Sequence, residues 1–511
     1  MKLTIVSTSD IHAYLYPTDF TQKEMNLPLG LLKVSSFLKN ISADEKLYID
    51  NGDFIQGSPL ASFVKDKVKT PRILSEFLNE LHPVARVLGN HEFNYGVDYL
   101  KEAVEASTAP YLAANVLNTD GEPYFGTPYL VKDVGQFKVG IIGLTTQYIP
   151  HWENPENIKD FRFISAVEAL RHWLPIVQAS ADFVVVSYHG GFEADPKTEK
   201  MLEKPTGENE GYQLLEQFEA IDVLFTGHQH GLYVGQHGKT FYSQPGHKGE
   251  YVAVVTLQID EPTRTITDAT IDLHHLTDVT EDLNLKAKVR PLEEQVEKWL
   301  DQPIGTVKTD MSITDPNKAR LETHPYVTFI NAVQSWATGC DISATALFNQ
   351  KAPGFKGDIT MRDIVINYIY TNTLAVLSVS GKDLVEALEQ CAAFFTLSDG
   401  QITINPNYYI PKPQYYNYDM FSGIDYTFDI SKPEGQRVVG LRYKGTPIDL
   451  KAPYEIVLNQ YRAVGGGNFA MFGPEKIIRE YGTDMTELIA QYIKEHPEVE
   501  VPAVHNFKVV Y

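Results

Sequence analysis

KLTIVSTSDIHAY (residues 2–14) runs an apolar stretch straight into an aspartate and a histidine two positions apart. The same device recurs along the first half of the chain, in KLYIDNGDFIQGSPL (46–60), RVLGNHEFNYG (86–96), DFVVVSYHGGFE (182–193) and DVLFTGHQHG (222–231). Each begins as a short run rich in Val, Ile, Leu and Phe and ends among Gly, Asp, Asn or His. An apolar run of that length bounded by turn residues reads as a largely buried strand. Strands of this kind belong to α/β architecture, with the chemistry gathered where loops leave the strand ends. The side chains delivered there are Asp10, His12, Asp53, Asn90, His189, His228 and His230. Two residues apart on an extended strand point to one face, so Asp10 with His12, and His228 with His230, are expected to converge. The seven supply mixed nitrogen and oxygen donors without thiolate, as a pair of divalent cations requires.

Working outward, GLLKVSSFLKN (30–40) and ISAVEALRHWLPIVQAS (164–180) place apolar residues at three-to-four spacing and predict helices. PYLAANV (110–116) and KVGIIGLT (138–145) read as further strands. Residues 241–260 and 263–276 read as antiparallel strands that close a first domain. A charged helix over residues 285–300, interrupted by Pro291, is the natural connector. The expected organisation is therefore a domain at 1–280, a connector at 281–303 and a second domain at 304–511. The second contains a strand in NTLAVLSVSG (372–381), a helix in KDLVEALEQCAAFF (382–395), a tyrosine-rich stretch at 407–430 and a glycine run in QYRAVGGGNF (460–469).

A chain of 511 residues is too long for one ordinary core, and 43% hydrophobic content with 22% charged residues describes a globular protein. The net charge of −22 argues against a nucleic-acid polymer as partner, because polyanion binding draws on clustered Lys and Arg. A small phosphate ester remains compatible, since its charge can be met locally by metal ions. Two cysteines, Cys340 and Cys391, are too few for a disulfide framework and read as buried thiols. No stretch reaches the ~18–20 apolar residues of a membrane span. The start, MKLTIVSTSD, enters a strand with no leader pattern. The expectation is a cytoplasmic protein, or alternatively a mature exported form, that does not bind membranes and is a monomer or weak oligomer.

Asp-x-His, Gly-Asp, Gly-Asn-His-Glu, a strand-ending His and Gly-His-x-His, in that order, resemble the binuclear metallophosphoesterases. The flanks DNGDFIQGSP, GNHEFNYG and TGENEGY before IDVLFTGHQH are similar to the 5′-nucleotidase and 2′,3′-cyclic-nucleotide 2′-phosphodiesterase/3′-nucleotidase group. The resemblance covers nearly the whole chain. It implies an N-terminal sandwich of mixed β-sheets flanked by helices and a C-terminal α/β substrate domain. It also implies that Asp10, His12 and His230 bind one metal, that Asn90, His189 and His228 bind the other, and that Asp53 bridges the two. The metals would be Mn, Fe, Co or Zn and would activate a shared water for in-line attack on phosphorus. His91 is similar to the family's catalytic histidine, able to stabilise charge on the phosphoryl group or protonate the leaving oxygen.

Position 94 departs from many 5′-nucleotidases of the group, which carry Asp there to orient that imidazole. Asn94 can orient the ring but cannot stabilise His⁺ as an anion would. GNHEFNYG is more like the cyclic-phosphodiesterase/3′-nucleotidase branch. Tyr370 and Tyr461 match, by local motif, the two aromatic positions that sandwich the base in that branch, and such stacking is worth roughly 1–3 kcal/mol per contact. Phe469 is a further stacking candidate and Arg362 a candidate anion contact. Tyr416, Tyr418 and Phe421 could line the cleft. Lys412 is the only Lys or Arg between Tyr408 and Phe428, which favours a mononucleotide platform over a polymer track. The resemblance thus implies a hydrolase of nucleotides or other small phosphate esters, with rotation of one domain against the other in turnover. The 3′/cyclic type is preferred; a 5′-nucleotidase or UDP-sugar hydrolase, and a nucleotide-binding sensor without turnover, are the alternatives.

Overall fold

The computed structural model describes residues 1–151, 153, 155–202, 206–370, 372–398, 400–408 and 414–511. Two compact units divide the chain, Met1–Glu297 and Lys298–Tyr511.

The first unit is a sandwich of two six-stranded mixed sheets. In chain order its strands are β1 (Lys2–Thr8), β2 (Glu45–Asp50), β3 (Ala85–Val87), β4 (Tyr111–Leu112), β5 (Tyr129–Val134), β6 (Phe137–Thr145), β7 (Phe183–His189), β8 (Val223–Phe225), β9 (Leu232–His237), β10 (Thr240–Pro245), β11 (Tyr251–Asp260) and β12 (Thr265–His275). One sheet has the order β12-β11-β1-β2-β3-β4 and the other β9-β10-β8-β7-β6-β5. Strands β1 to β4 run parallel to their neighbours, as do β6, β7, β8 and β10, while β11, β12, β5 and β9 add antiparallel edges.

Alternation along the strands explains the layers. Leu3 and Ile5, Leu47 and Ile49, Val139 and Ile141, and Val255 and Leu257 point inward and form one core between the sheets. Ile142, Leu144, Val184 and Val186 point to the other face. There they pack under Leu170, Leu174 and Val177 of a helix at Ala166–Gln178, capped by the Ser165 side chain. Both faces of β7 are therefore buried, which is why its sequence shows no polar alternation. Each fully buried aliphatic side chain of this kind contributes about 1.5–3 kcal/mol.

Three local expectations change. PYLAANV is not one strand: β4 ends at Leu112, and a separate two-residue strand, Val116–Leu117, pairs outside both main sheets. The connector helix spans Leu283–Leu300 and runs unbroken through Pro291, so its start and not its middle is the local stop. Asp10 and His12 lie beyond β1, and His228 and His230 beyond β8, so strand alternation is not what brings them together.

The second unit is built on a five-stranded sheet. Its strands are β13 (Ile342–Ala346), β14 (Leu374–Ser380), β15 (Asp419–Ser422), β16 (Pro453–Asn459) and β17 (Ile477–Tyr481), in the order β15-β13-β16-β14-β17. Helices Pro325–Thr338 and Gly381–Ala392 belong to the same unit, the latter started by a Ser380/Asp383 capping box. Cys340 and Cys391 are free and buried. Among the described residues no helix is long and apolar enough to cross a membrane.

Candidate functional site

The carboxyl ends of β1, β2, β3, β7 and β8 open on one side of the sandwich, and all seven expected donors are found there. Only His189 is still in a strand. Asp10, His12, Asp53, His228 and His230 have positive φ, between 50° and 68°, while Asn90 is right-handed at −73°. Non-glycine residues held in that region cost of the order of 1–3 kcal/mol each and persist where their surroundings over-determine them. Here the loops are laced to one another: Asp10 N–H donates to Gly52 O at 2.9 Å, His12 N–H to Asp53 O at 2.8 Å and Lys248 N–H to Asp10 O at 2.8 Å. Gly57, at φ +117°, passes so close to His12 that a Cβ would stand 2.6 Å from its Nδ1.

The donors form two trios. Ligand atoms of Asp10, His12 and His230 lie within 4.8 Å of one another, and so do those of Asp53, His189 and His228. Asn90 joins the second through its Oδ1, 2.9 Å from His228 Nδ1. Asp53 Oδ2 is 3.1 Å from His189 Nε2, and His189 Nε2 is in turn 3.9 Å from Asp10 Oδ1, so the trios adjoin.

The residues fit a pair of cations on the evidence of their tautomers. His189 Nδ1–H donates to Asn51 O at 2.6 Å and His12 Nδ1–H to Gln56 O at 2.9 Å, since a carbonyl can only accept. The outer nitrogen of each neutral ring is then a bare lone pair. His189 Nε2 is buried without a hydrogen-bond partner despite its nearness to Asp53, the geometry of two ligands aimed at a common point. His12 Nε2 faces His230 Nε2 at 3.1 Å. Electrostatics call for positive charge at the same point. Burial opposes charge on His189, yet Asp53 and Asp10 more than offset it and lift the ring to about 10, whereas burial takes His12 down to about 3. The two buried carboxylates therefore need a positive charge beside them, which either a proton on His189 Nε2 or a cation bound to that nitrogen supplies.

Supporting residues went unread in the sequence. Glu92, fully buried, accepts from the backbone N–H of Asp53 (2.9 Å), Phe54 (2.6 Å), Ile55 (3.3 Å) and Gly89 (2.6 Å), and so fastens the Asp53 loop to the Asn90 loop. Glu208 accepts from His228 Nε2 at 3.0 Å, which turns Nδ1 toward Asn90. Asn51 takes hydrogen bonds from Ser187 and His189. The signal for two of them was present, because Glu92 lies inside GNHEF and Glu208 inside TGENEGY.

His91 stands beside the trios, its Nε2 4.0 Å from Asp53 Oδ2 and its backbone N–H donating to Asp53 Oδ1 at 2.8 Å. Its Nδ1 is 2.7 Å from Asn94 Oδ1. Burial works against its charge, but Asp53 and the Asn94 hydrogen bond outweigh that and raise it above the ordinary histidine value.

In the second unit Tyr370 and Tyr461 are half exposed, at 42% and 47%. Tyr416 stands with its ring 6.1 Å from that of Tyr461, and it lies near enough to Tyr370 to add to the rise that burial gives that phenol, so the three are neighbours. Phe348 meets Tyr370 edge-on at 5.3 Å. Behind the cluster Arg462 is buried with Asp419 (Nε to Oδ2, 2.5 Å), donates to Tyr416 O at 2.7 Å and to Gly466 O, and lies 3.7 Å over the Phe469 ring. Phe469 is therefore core, fully buried against Arg462 and Phe472, and offers no face to a ligand. Tyr418 and Phe421 are likewise buried. Arg362 is engaged by Asp301 at 2.6 Å and is no free anion contact. Lys412 lies outside the described residues.

Adjoining nitrogen and oxygen donor trios at the strand ends of a two-sheet sandwich, with an imidazole poised beside them, define a metallophosphoesterase. Residues 3–232 match the calcineurin-like phosphoesterase family, and residues 303–474 match the 5′-nucleotidase C-terminal domain. The chain is 37% identical to a Staphylococcus aureus protein provisionally named a 5′-nucleotidase, whose crystal structure with α-ketoglutarate aligns at a TM-score of 0.78 over 100% of both chains. It is 28% identical to the 2′,3′-cyclic-nucleotide 2′-phosphodiesterase/3′-nucleotidase of Haemophilus influenzae over 98% of this chain and 85% of that one. Identity to the trifunctional nucleotide phosphoesterase YfkN of Bacillus subtilis is 25%, with 100% of this chain aligned to 39% of that protein. The chain belongs to the 5′-nucleotidase family of calcineurin-like metallophosphoesterases, enzymes that use a divalent metal pair.

Proposed function

We propose that the protein is a two-metal hydrolase of nucleotides, of the 2′,3′-cyclic-nucleotide phosphodiesterase/3′-nucleotidase type. The observation that carries this reading is the half-exposed Tyr370 and Tyr461, with Tyr416 beside Tyr461, in a chain that also holds the two donor trios. Aromatic faces grip a nucleoside whatever its base, and a phosphate ester without a base has no use for them.

In this reading Asp10, His12 and His230 would hold one cation and Asn90, His189 and His228 the other, with Asp53 available to both. The chemistry such a pair supplies when bound is Lewis-acid polarisation of the phosphoryl group and activation of water for in-line attack. His91 keeps a proton on Nδ1 for Asn94 and presents Nε2 to the phosphoryl group or the leaving oxygen. Ser9 and the His228 N–H hold the Asp10 carboxylate in place (Ser9 Oγ to Oδ2, 2.5 Å; His228 N to both oxygens, 3.1 Å). The sheet-end loops do the chemistry and the tyrosine cluster selects the substrate.

Asn94 and the tyrosine pair favour the 3′ and cyclic branch. A 5′-nucleotidase or UDP-sugar hydrolase is the second reading, favoured by the name of the 37% identical Staphylococcus aureus relative. Product analysis with 3′-AMP, 2′,3′-cyclic AMP, 5′-AMP and UDP-glucose at matched metal separates them. We expect 2′,3′-cyclic AMP and 3′-AMP to be turned over fastest; predominant hydrolysis of 5′-AMP would select the second reading.

A further inference from the structure

An asparagine at position 94 is chemically ambiguous in a way that an aspartate is not. A carboxamide has an acceptor end and a donor end of similar size. Turned one way, it accepts from Nδ1–H of His91 and leaves Nε2 for substrate. Turned the other, it donates to a bare Nδ1 and favours the opposite tautomer. Nothing in Asn94 itself decides between the two.

What decides is the next residue out. Asn94 Nδ2 donates to Glu153 Oε2 at 2.7 Å. A carboxylate only accepts, so the nitrogen of Asn94 must face Glu153 and its oxygen must face His91, at 2.7 Å. The reversed amide would set two acceptor oxygens against each other at that distance. Asn157 fixes Glu153 in turn, donating to its Oε1 at 2.8 Å and to the Asn94 carbonyl at 3.1 Å. Asn157 lies in the short helix Pro155–Ile158, and the Glu153 N–H donates to Ile149 O at 3.0 Å. The chain His91–Asn94–Glu153–Asn157 is directional from end to end.

We propose that Glu153 is a positioning residue that, through Asn94, keeps the proton of the neutral His91 ring on Nδ1 and so leaves Nε2 as the nitrogen that exchanges a proton with the phosphate ester. It restores from one residue further out the polarity that Asn in place of Asp gives up. This rests on the role given to His91 in the functional reading above, and the test separates the two.

The experiment compares wild type, E153Q, N94D and N94D/E153Q, all metal-loaded. A glutamine at 153 offers a donor as well as an acceptor to Asn94 and Asn157, so it no longer dictates the Asn94 orientation. We expect E153Q to lower kcat about ten- to a hundredfold, as loss of an outer orienting partner does, with KM unchanged. N94D alone should also be slow, because it opposes two carboxylates. N94D/E153Q supplies a carboxylate next to His91 and an amide behind it, and should exceed both single variants. A merely structural role for Glu153 predicts losses that multiply. The second readout is the 15N spectrum of histidine-labelled, zinc-loaded protein, with His91 assigned by difference from H91Q, at a pH where the ring is neutral. Wild type should show the proton on Nδ1, and E153Q a mixture of tautomers. Wild-type kcat and an unmixed Nδ1–H ring in E153Q, or a double variant no better than the singles, would overturn the proposal. If wild type hydrolyses no nucleotide, the functional reading fails while the tautomer measurement still decides what Glu153 does.

Discussion

The metal loops and the tyrosine cluster are built by opposite means. In the loops four of the seven donors, Asp10, His12, Asp53 and His189, are at most 3% exposed, Asn90, His228 and His230 are partly exposed, and most of the seven sit on left-handed backbone locked by neighbouring loops. In the cluster the working side chains stand nearly half in solvent, and rigidity is supplied from behind by a buried Arg462–Asp419 pair. Chemistry at a metal pair tolerates little displacement, so it is held on all sides. Recognition of a base needs only a flat face at the right place. If the tyrosines grip the base as proposed, substrate range can change there without disturbing the donors.

The comparison breaks most sharply at Asp53. Replacing it with Asn keeps its shape but removes the anion that adjoins both trios. Hydrolysis should fall by roughly 10³-fold or more, with metal content reduced and the far-ultraviolet circular dichroism unchanged. Activity within tenfold of wild type would refute the bridging role.

How much of this was legible in the sequence follows the same divide. All seven donors, His91 and the α/β strands could be named from residues because the motifs are short and local. How the donors converge could not, because it depends on left-handed φ at Asp10, His12, Asp53, His228 and His230, and on hydrogen bonds between loops far apart in sequence. Glu153 gives no sequence signal for a similar reason, and Glu92 and Glu208, though inside motifs, show no role there: a glutamate looks solvated until the fold shows which N–H it meets. In the second unit Phe469 and Arg362 were misjudged. An aromatic residue just past a glycine run and an arginine in DITMRD look available, but Arg462 covers Phe469 and Asp301 engages Arg362.

The second prediction tests whether the cluster is held from behind. Arg462→Met leaves Asp419 buried without its partner, and breaking such a pair costs about 3–5 kcal/mol. The urea midpoint of the transition reporting on the second unit should drop and KM should rise, with kcat preserved. Arg462→Met/Asp419→Leu should regain most of the stability and little of the KM. Recovery of both would mean that the pair stabilises the fold without placing the tyrosines.

Smaller again is the effect of the tyrosines themselves. Tyr370→Ala and Tyr461→Ala should each cost about 1–3 kcal/mol in kcat/KM for a nucleotide, read mainly in KM. With glycerol 2-phosphate, which carries no ring to stack, the same variants should match wild type. Equal losses on both substrates would show that the tyrosines support the fold or the metal loops and do not grip a base.

The smallest effect concerns Asp282, which belongs to neither region and caps the start of the helix Leu283–Leu300 by accepting from Asn284 and Leu285 N–H. Burial opposes its charge, but hydrogen bonds from Lys39 and Ser35 prevail and hold it at about 2, below its ordinary 3.8. A carboxylate whose pKa is depressed by folding stabilises the fold above its unfolded pKa and loses that contribution as pH falls through the folded value. Asp282→Asn keeps an acceptor for the cap and removes only the charge. Lys39 is 60% exposed, so the difference at neutral pH should be under about 1 kcal/mol. The Tm gap between wild type and variant should stay constant from pH 7 to about 4 and shrink between 4 and 2. A gap that stays constant down to pH 2.5 would mean that the aspartate acts through its shape alone, and that this helix start, unlike the metal loops, owes nothing to charge.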